Sequence, residues 1–189
     1  MDYQVEPEFL VKPDAAGKAL MRKFRDSTAS FHWGDLRGNS LNNGSTFLLY
    51  TGKALFAVTA GHVFRGYMER SMHEPLVCQI DGMPFNPAER LISAGSAEID
   101  IATFAITEDE FNLLGKSTVP WPPIIPEAGN GVLVCGLPGL ERRNPRPFFV
   151  DAGYSTLVMR VDSVSDRTLS MLRQTDEEII DVLVYRFTK

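Results

Sequence analysis

Apolar and polar positions fall into two patterns along this chain. From Asp14 to Asp26, DAAGKALMRKFRD sets Ala15, Ala19, Leu20 and Phe24 near helical spacing, with Asp14 after Pro13 as a capping residue. From Ser30 to Ile106 the pattern changes to short runs rich in Phe, Leu, Val and Ile, divided by Gly, Asn and Pro. Such runs predict strands and turns. TFLLYT and ALFAVTA, joined at Gly52-Lys53, read as a tight hairpin over Thr46–Ala60. GHVFRGYMERS follows as one or two helical turns, and VCQIDGMPFN as strand, turn and strand. EIDIATFAIT is nearly continuous in apolar residues, the pattern of a strand buried on both faces or bent across a barrel.

The Pro-rich stretch VPWPPIIPEAGNG, residues 119–131, reads as a linker, because proline removes ladder donors and fixes extended backbone. After it GVLVCGLPG, RPFFVDAG and STLVMRVDSV read as strands, with RTLSML as a further candidate, while EEIIDVLVYRF is ambiguous between strand and helix. The expected division is a helical leader over 1–27, a β unit over 28–118, the linker over 119–131 and a shorter β unit over 132–189. No internal repeat or low-complexity segment interrupts this order.

Composition narrows the function classes. With 189 residues, 44% hydrophobic and 23% charged, the chain is long enough to bury a core without disulfides or metals. Its net charge of −5, with acidic and basic residues mixed, provides no basic stripe for nucleic acid. The short basic run ERRNPR, 141–146, reads as a solvated loop. Cys78 and Cys135 each lie in an apolar run and are expected to be buried free thiols. The N-terminal MDYQVEPEFLVKPD is not a signal peptide, and no apolar run approaches the ~18 residues of a membrane helix, so the expected location is the cytoplasm. No His-x-x-x-His, Cys-x-x-Cys or phosphate-cradling glycine pattern occurs, and neither a metal nor a cofactor is expected.

Two residues carry candidate chemistry. His62 stands in Val58-Thr59-Ala60-Gly61-His62-Val63, where an apolar hairpin strand ends and a turn begins. Backbone held by a buried strand fixes the donor–acceptor distance that a general base needs. Asp100 lies in Glu98-Ile99-Asp100-Ile101-Ala102, and a carboxylate in apolar surroundings must find a partner. A histidine N–H is such a partner, and the carboxylate would then fix the imidazole tautomer. His32 and His73 are expected on loops without chemistry.

These segments resemble a known family. GSTFLLYTGKALFAVTAGHVF is similar to the His-containing segment of trypsin-like (chymotrypsin-fold) serine peptidases, and EIDIATFAI to their Asp segment. VLVCGLPG resembles the opening strand of the second barrel in bacterial members, and the three stand in the family's order over roughly residues 30–160. The resemblance implies an all-β, chymotrypsin-like double β-barrel with a complete first barrel and an incomplete second. It also implies His62 as general base and Asp100 as its orienting partner, in peptide-bond hydrolysis.

The family's third residue is a serine in G-x-S-G, and that pattern occurs nowhere in the sequence. Ser155, Ser163, Ser165 and Ser170 follow the linker, but none lies between glycines, and the last glycine is Gly153. Ser155, soon after that glycine, is the nearest approach to a nucleophile context. The expectation from the resemblance is a chain that stops short of its nucleophile and is inactive as written. The alternative is a non-catalytic scaffold that binds peptide or protein. An open second barrel would leave strand edges that invite self-association.

Overall fold

A computed structural model of the chain describes residues 15–38, 41–95, 99–119, 121–124, 127, 129–137, 142–146, 149–152, 155–162 and 184–187. The fold is mostly antiparallel β with few helices. Helix α1, Ala15–Ser27, leads directly into strand β1, Thr28–Asp35. β2, Leu41–Tyr50, and β3, Leu55–Ala60, form the hairpin, and helix α2 follows over Gly61–Ser71. β4, Leu76–Ile80, and β5, Met83–Pro84, precede the single turn α3, Pro87–Arg90. Then come β6, Leu91–Ala94, β7, Ile101–Ile106, helix α4, Glu108–Leu114, and β8, Thr118–Val119. Five further strands follow: β9, Gly131–Gly136; β10, Arg142–Arg146; β11, Phe149–Ala152; β12, Ser155–Asp162; and β13, Val184–Phe187.

The local chemistry explains these boundaries. Gly52 takes a φ of 82° in the β2–β3 turn, and Asp81 and Gly82 take φ of 45° and 86° between β4 and β5. An Asp-Gly pair at positive φ is the turn that matches strand twist. Asp81 also accepts a hydrogen bond from the Ser30 N–H at 2.6 Å and an ion pair from Lys116 at 2.8 Å, tying this turn to β1 and to the segment after α4. α4 starts with a capping box between Thr107 and Glu110 and ends at Gly115 in the left-handed region.

The first sheet runs β5-β4-β1-β2-β3-β7-β6, antiparallel throughout, with β8 pairing in parallel to β2. β1 faces β2 only as far as Phe47, and β8 takes over at Leu48 and Leu49. Val119, read as the start of a linker, therefore contributes a ladder pair.

Aromatic packing shows that this sheet curls. Phe31 on β1 stacks on Phe104 of β7 at 5.9 Å between ring centres, although β2 and β3 separate those strands in the ladder order. Phe85, just beyond edge strand β5, meets Phe104 edge-on at 5.7 Å and Phe31 at 6.3 Å. Rings from near both edges can touch only if the sheet wraps round a common core. Phe64 of α2 caps that core against Phe104 at 5.4 Å, and the Arg90–Glu110 pair at 2.8 Å links α3 to α4. The result is a curled half-barrel, the all-β architecture that the resemblance to chymotrypsin-like barrels implies. Buried Cys78 is a free thiol in this core, its pKa pushed up to about 12 by loss of solvent. The side chain of Cys135 lies outside the described residues.

The later strands form a three-stranded antiparallel sheet, β13-β12-β9, and a separate β10–β11 hairpin. Leu137, one residue past β9, is held from both sides of its backbone: its N–H donates to Ser45 Oγ at 2.7 Å, and its carbonyl accepts from Asn43 Nδ2 at 3.0 Å. These two bonds fasten the end of β9 to β2.

Several expectations need correction. α2 is an 11-residue helix rather than one or two turns, because Phe64 and Tyr67 give it a buried face. β7 is not buried on both faces: Ala102, Phe104 and Ile106 point inward, while Ile101 is exposed. His32 sits within β1 and is buried, its Nε2 hydrogen bonded to Gln79 Oε1 at 3.1 Å, and is not on a loop. Residues 142–146 form β10, not a solvated loop. Of the ambiguous EEIIDVLVYRF, residues 184–187 are a strand paired with β12. Asp14, Ser163, Ser165 and the segment RTLSML, with its Ser170, lie outside the described residues.

Candidate active site

Ala60 and Ile101 are the last register pair of the β3–β7 ladder. One strand leaves this pair into α2 and the other enters it from Asp100, so His62 and Asp100 emerge side by side at one end of the barrel. The junction is tied by backbone: the Gly61 N–H donates to the Asp100 carbonyl at 2.9 Å. The site is crowded at Gly61, where a Cβ would lie 2.9 Å from Arg65 Nη1, 3.0 Å from Asp100 Oδ1 and 3.2 Å from the Ile101 nitrogen.

The Asp100 carboxylate accepts three hydrogen bonds. Oδ2 accepts from His62 Nδ1 at 2.5 Å. Oδ1 accepts from the His62 backbone N–H at 2.7 Å and from Arg65 Nη2 at 2.8 Å. A carboxylate cannot donate, so Nδ1 carries the proton, and in the neutral imidazole Nε2 keeps its lone pair. The His62 side chain is 68% exposed, which leaves Nε2 accessible to a reacting group.

The His62 imidazole is the main reason the Asp100 carboxyl is held below the usual carboxylate range. Partial burial opposes that shift, and the His62 N–H and Arg65 add to it. The carboxylate is 38% exposed rather than embedded in an apolar run, as the sequence suggested. It precedes β7 instead of lying within it, and its hydrogen bonds together outweigh desolvation.

The structure brings His62 and Asp100 into hydrogen-bond contact. Arg65, and with it the crowding around Gly61, went unforeseen. The signal was available: Arg65 lies three residues after His62, a spacing that shares a helix face, but only once the segment is read as a full helix. His32 and His73 take no part in this cluster. Among the described residues no serine hydroxyl is hydrogen bonded to His62. The backbone of Ser155 pairs with Gly136 at the start of β12, and its side chain lies outside the described residues. No group of three or more metal-ligating side chains forms among the described residues.

A separate groove of about 310 Å³ lies at the opposite end of β3, lined by Tyr50, Leu55, Glu108, Phe111, Asn112 and Thr118. It is remote from the His62–Asp100 pair along the strand. No helix among the described residues is long and apolar enough to cross a membrane.

The curled antiparallel sheet thus presents a hydrogen-bonded histidine and carboxylate at one end. No family model and no curated protein matches the sequence. Among solved structures, the chain is similar to the active form of the Rv3671c protease from M. tuberculosis, with 15% identity and a TM-score of 0.46. The similarity covers 80% of this chain and 55% of that one, so the chain spans about half the length of that protease.

Proposed function

We propose that this chain belongs to the trypsin-like serine peptidases in chemistry as well as in fold, with His62 as general base and Asp100 as its orienting carboxylate. The supporting observation is the 2.5 Å contact from His62 Nδ1 to Asp100 Oδ2, which leaves Nε2 free at an exposed position. In this reading a serine hydroxyl gives its proton to Nε2 while its oxygen attacks the peptide carbonyl. The imidazolium so formed is stabilised by Asp100 and returns the proton to the departing amine. None of the serines in these 189 residues stands in G-x-S-G, so any nucleophile among them lies in another context.

That same absence favours a second reading: a relative that binds peptide or protein without cleaving it. Removal of one triad member leaves only residual catalysis, so the missing pattern weighs against turnover. Cleavage of a quenched fluorescent peptide library separates the two. The catalytic reading expects cleavage by the parent and a loss of about 10⁶-fold in His62→Ala, the scale seen when a triad histidine is removed. A folded parent that binds library peptides without cleaving them contradicts it and supports the second reading.

A further inference from the structure

We infer that Arg65 is a positioning residue for the His62–Asp100 pair, holding the carboxylate so that Oδ2 addresses Nδ1. This inference rests on reading the pair as a general-base device. Three observations carry it. Arg65 follows His62 by three residues on α2, so both side chains rise from one helix face towards Asp100. Its Nη2 donates to Oδ1 at 2.8 Å, leaving Oδ2 to His62. The missing Cβ of Gly61 makes room for the guanidinium, whose Nη1 would lie 2.9 Å from any such atom.

The division of labour between the two oxygens gives Arg65 its purpose. A carboxylate can turn about its last bond, and the imidazole alone does not select one orientation. The His62 backbone N–H and Arg65 both donate to Oδ1, which fixes the plane and points Oδ2 at Nδ1. Arg65 also places a permanent positive charge beside Asp100, favouring the ionised form at lower pH. As a stability element the contact is weak, since Arg65 is 47% exposed and Asp100 38%. Its consequence is expected in orientation and charge.

The test is NMR on the full chain with Arg65→Met and Arg65→Lys. Arg65→Met is expected to raise the titration midpoint of the Asp100 carboxyl carbon and to broaden away the far-downfield His62 Nδ1–H resonance, with the melting temperature unchanged. Arg65→Lys, which keeps the charge and one donor, is expected to restore both signals in part. An Arg65→Met protein with the parent's Asp100 titration and Nδ1–H resonance overturns the inference. These readouts need no turnover. A chain that shows them yet never cleaves peptide loses the peptidase reading and keeps the role of Arg65.

Discussion

Ala60 and Ile101 face each other across the β3–β7 ladder, and this register pair delivers His62 to Asp100. The ladder continues through Thr59–Ala102 and Ala57–Phe104, with Ala57, Ala102 and Phe104 fully buried. A slip of one residue would turn those side chains outward, so the core enforces the register and the register places the pair. The candidate chemistry is therefore anchored to a buried ladder of the barrel.

Asp100→Asn tests the charge of the orienting group with little change of shape. An amide keeps one acceptor oxygen but loses the anion that stabilises the imidazolium and selects the tautomer. Peptide cleavage is expected to fall by about 10³- to 10⁴-fold in kcat/KM. Retention of parental kcat/KM would show that Asp100 has only a structural part.

Gly61→Ala tests the packing behind the pair. The added methyl would meet Arg65, Asp100 and the Ile101 backbone at 2.9 to 3.2 Å, so the junction must shift. Overpacking of this kind costs about 1–3 kcal/mol, readable as a lower urea midpoint. The His62 Nδ1–H resonance should weaken alongside it. A variant as stable as the parent with an unaltered resonance would mean that the junction adapts freely.

Phe104→Ala tests how far the aromatic core supports the site. Phe104 is fully buried and meets Phe31, Phe64 and Phe85. Its truncation is expected to cost about 3–5 kcal/mol in urea unfolding. Because Phe64 belongs to α2, native-state hydrogen exchange in that helix should quicken as well. A cost below about 1 kcal/mol, the scale of an exposed substitution, would contradict the curled core.

His32 sets a pH dependence apart from the site. Burial pushes its imidazole below the ordinary value of 6.5, against upward pulls from the Gln79 hydrogen bond and the Asp81 charge. Near that pH the unfolded chain takes up a proton that the folded chain refuses. The contribution of His32 is thus fully present above 6.5 and is lost as the pH falls from there towards the lower folded value. His32→Gln should flatten the urea midpoint against pH in this window, and an unchanged slope would assign the effect elsewhere.

Much of this was legible in the sequence because local chemistry and tertiary structure agree there. The β2–β3 hairpin is written in Gly52 and its flanking apolar runs, and the His62–Asp100 pairing in TAGH and the Asp-apolar segment. What escaped depends on contacts distant along the chain. α2 looks short until Phe64 and Tyr67 find the core, and with the helix unread, Arg65 had no reason to face Asp100. Ser30, His32 and Gly34 alternate with apolar neighbours, a strand pattern, yet the histidine itself does not reveal that it is buried. Only pairing with β4 reveals that Gln79 lies opposite to satisfy it. β7 misled in the other direction. Its run is apolar except for Thr103, but β6 and β7 lie at a sheet edge where outward side chains such as Ile101 stay exposed.

The central claim, a His62 base that activates a serine, is tested most directly by a fluorophosphonate probe, which reacts with activated serine hydroxyls. The parent, His62→Ala and Asp100→Asn would be treated side by side, with the labelled peptide mapped by mass spectrometry. The account predicts one labelled serine in the parent, slower labelling in Asp100→Asn and none in His62→Ala. A folded parent that takes no label, or a His62→Ala protein labelled as fast as the parent, would contradict it.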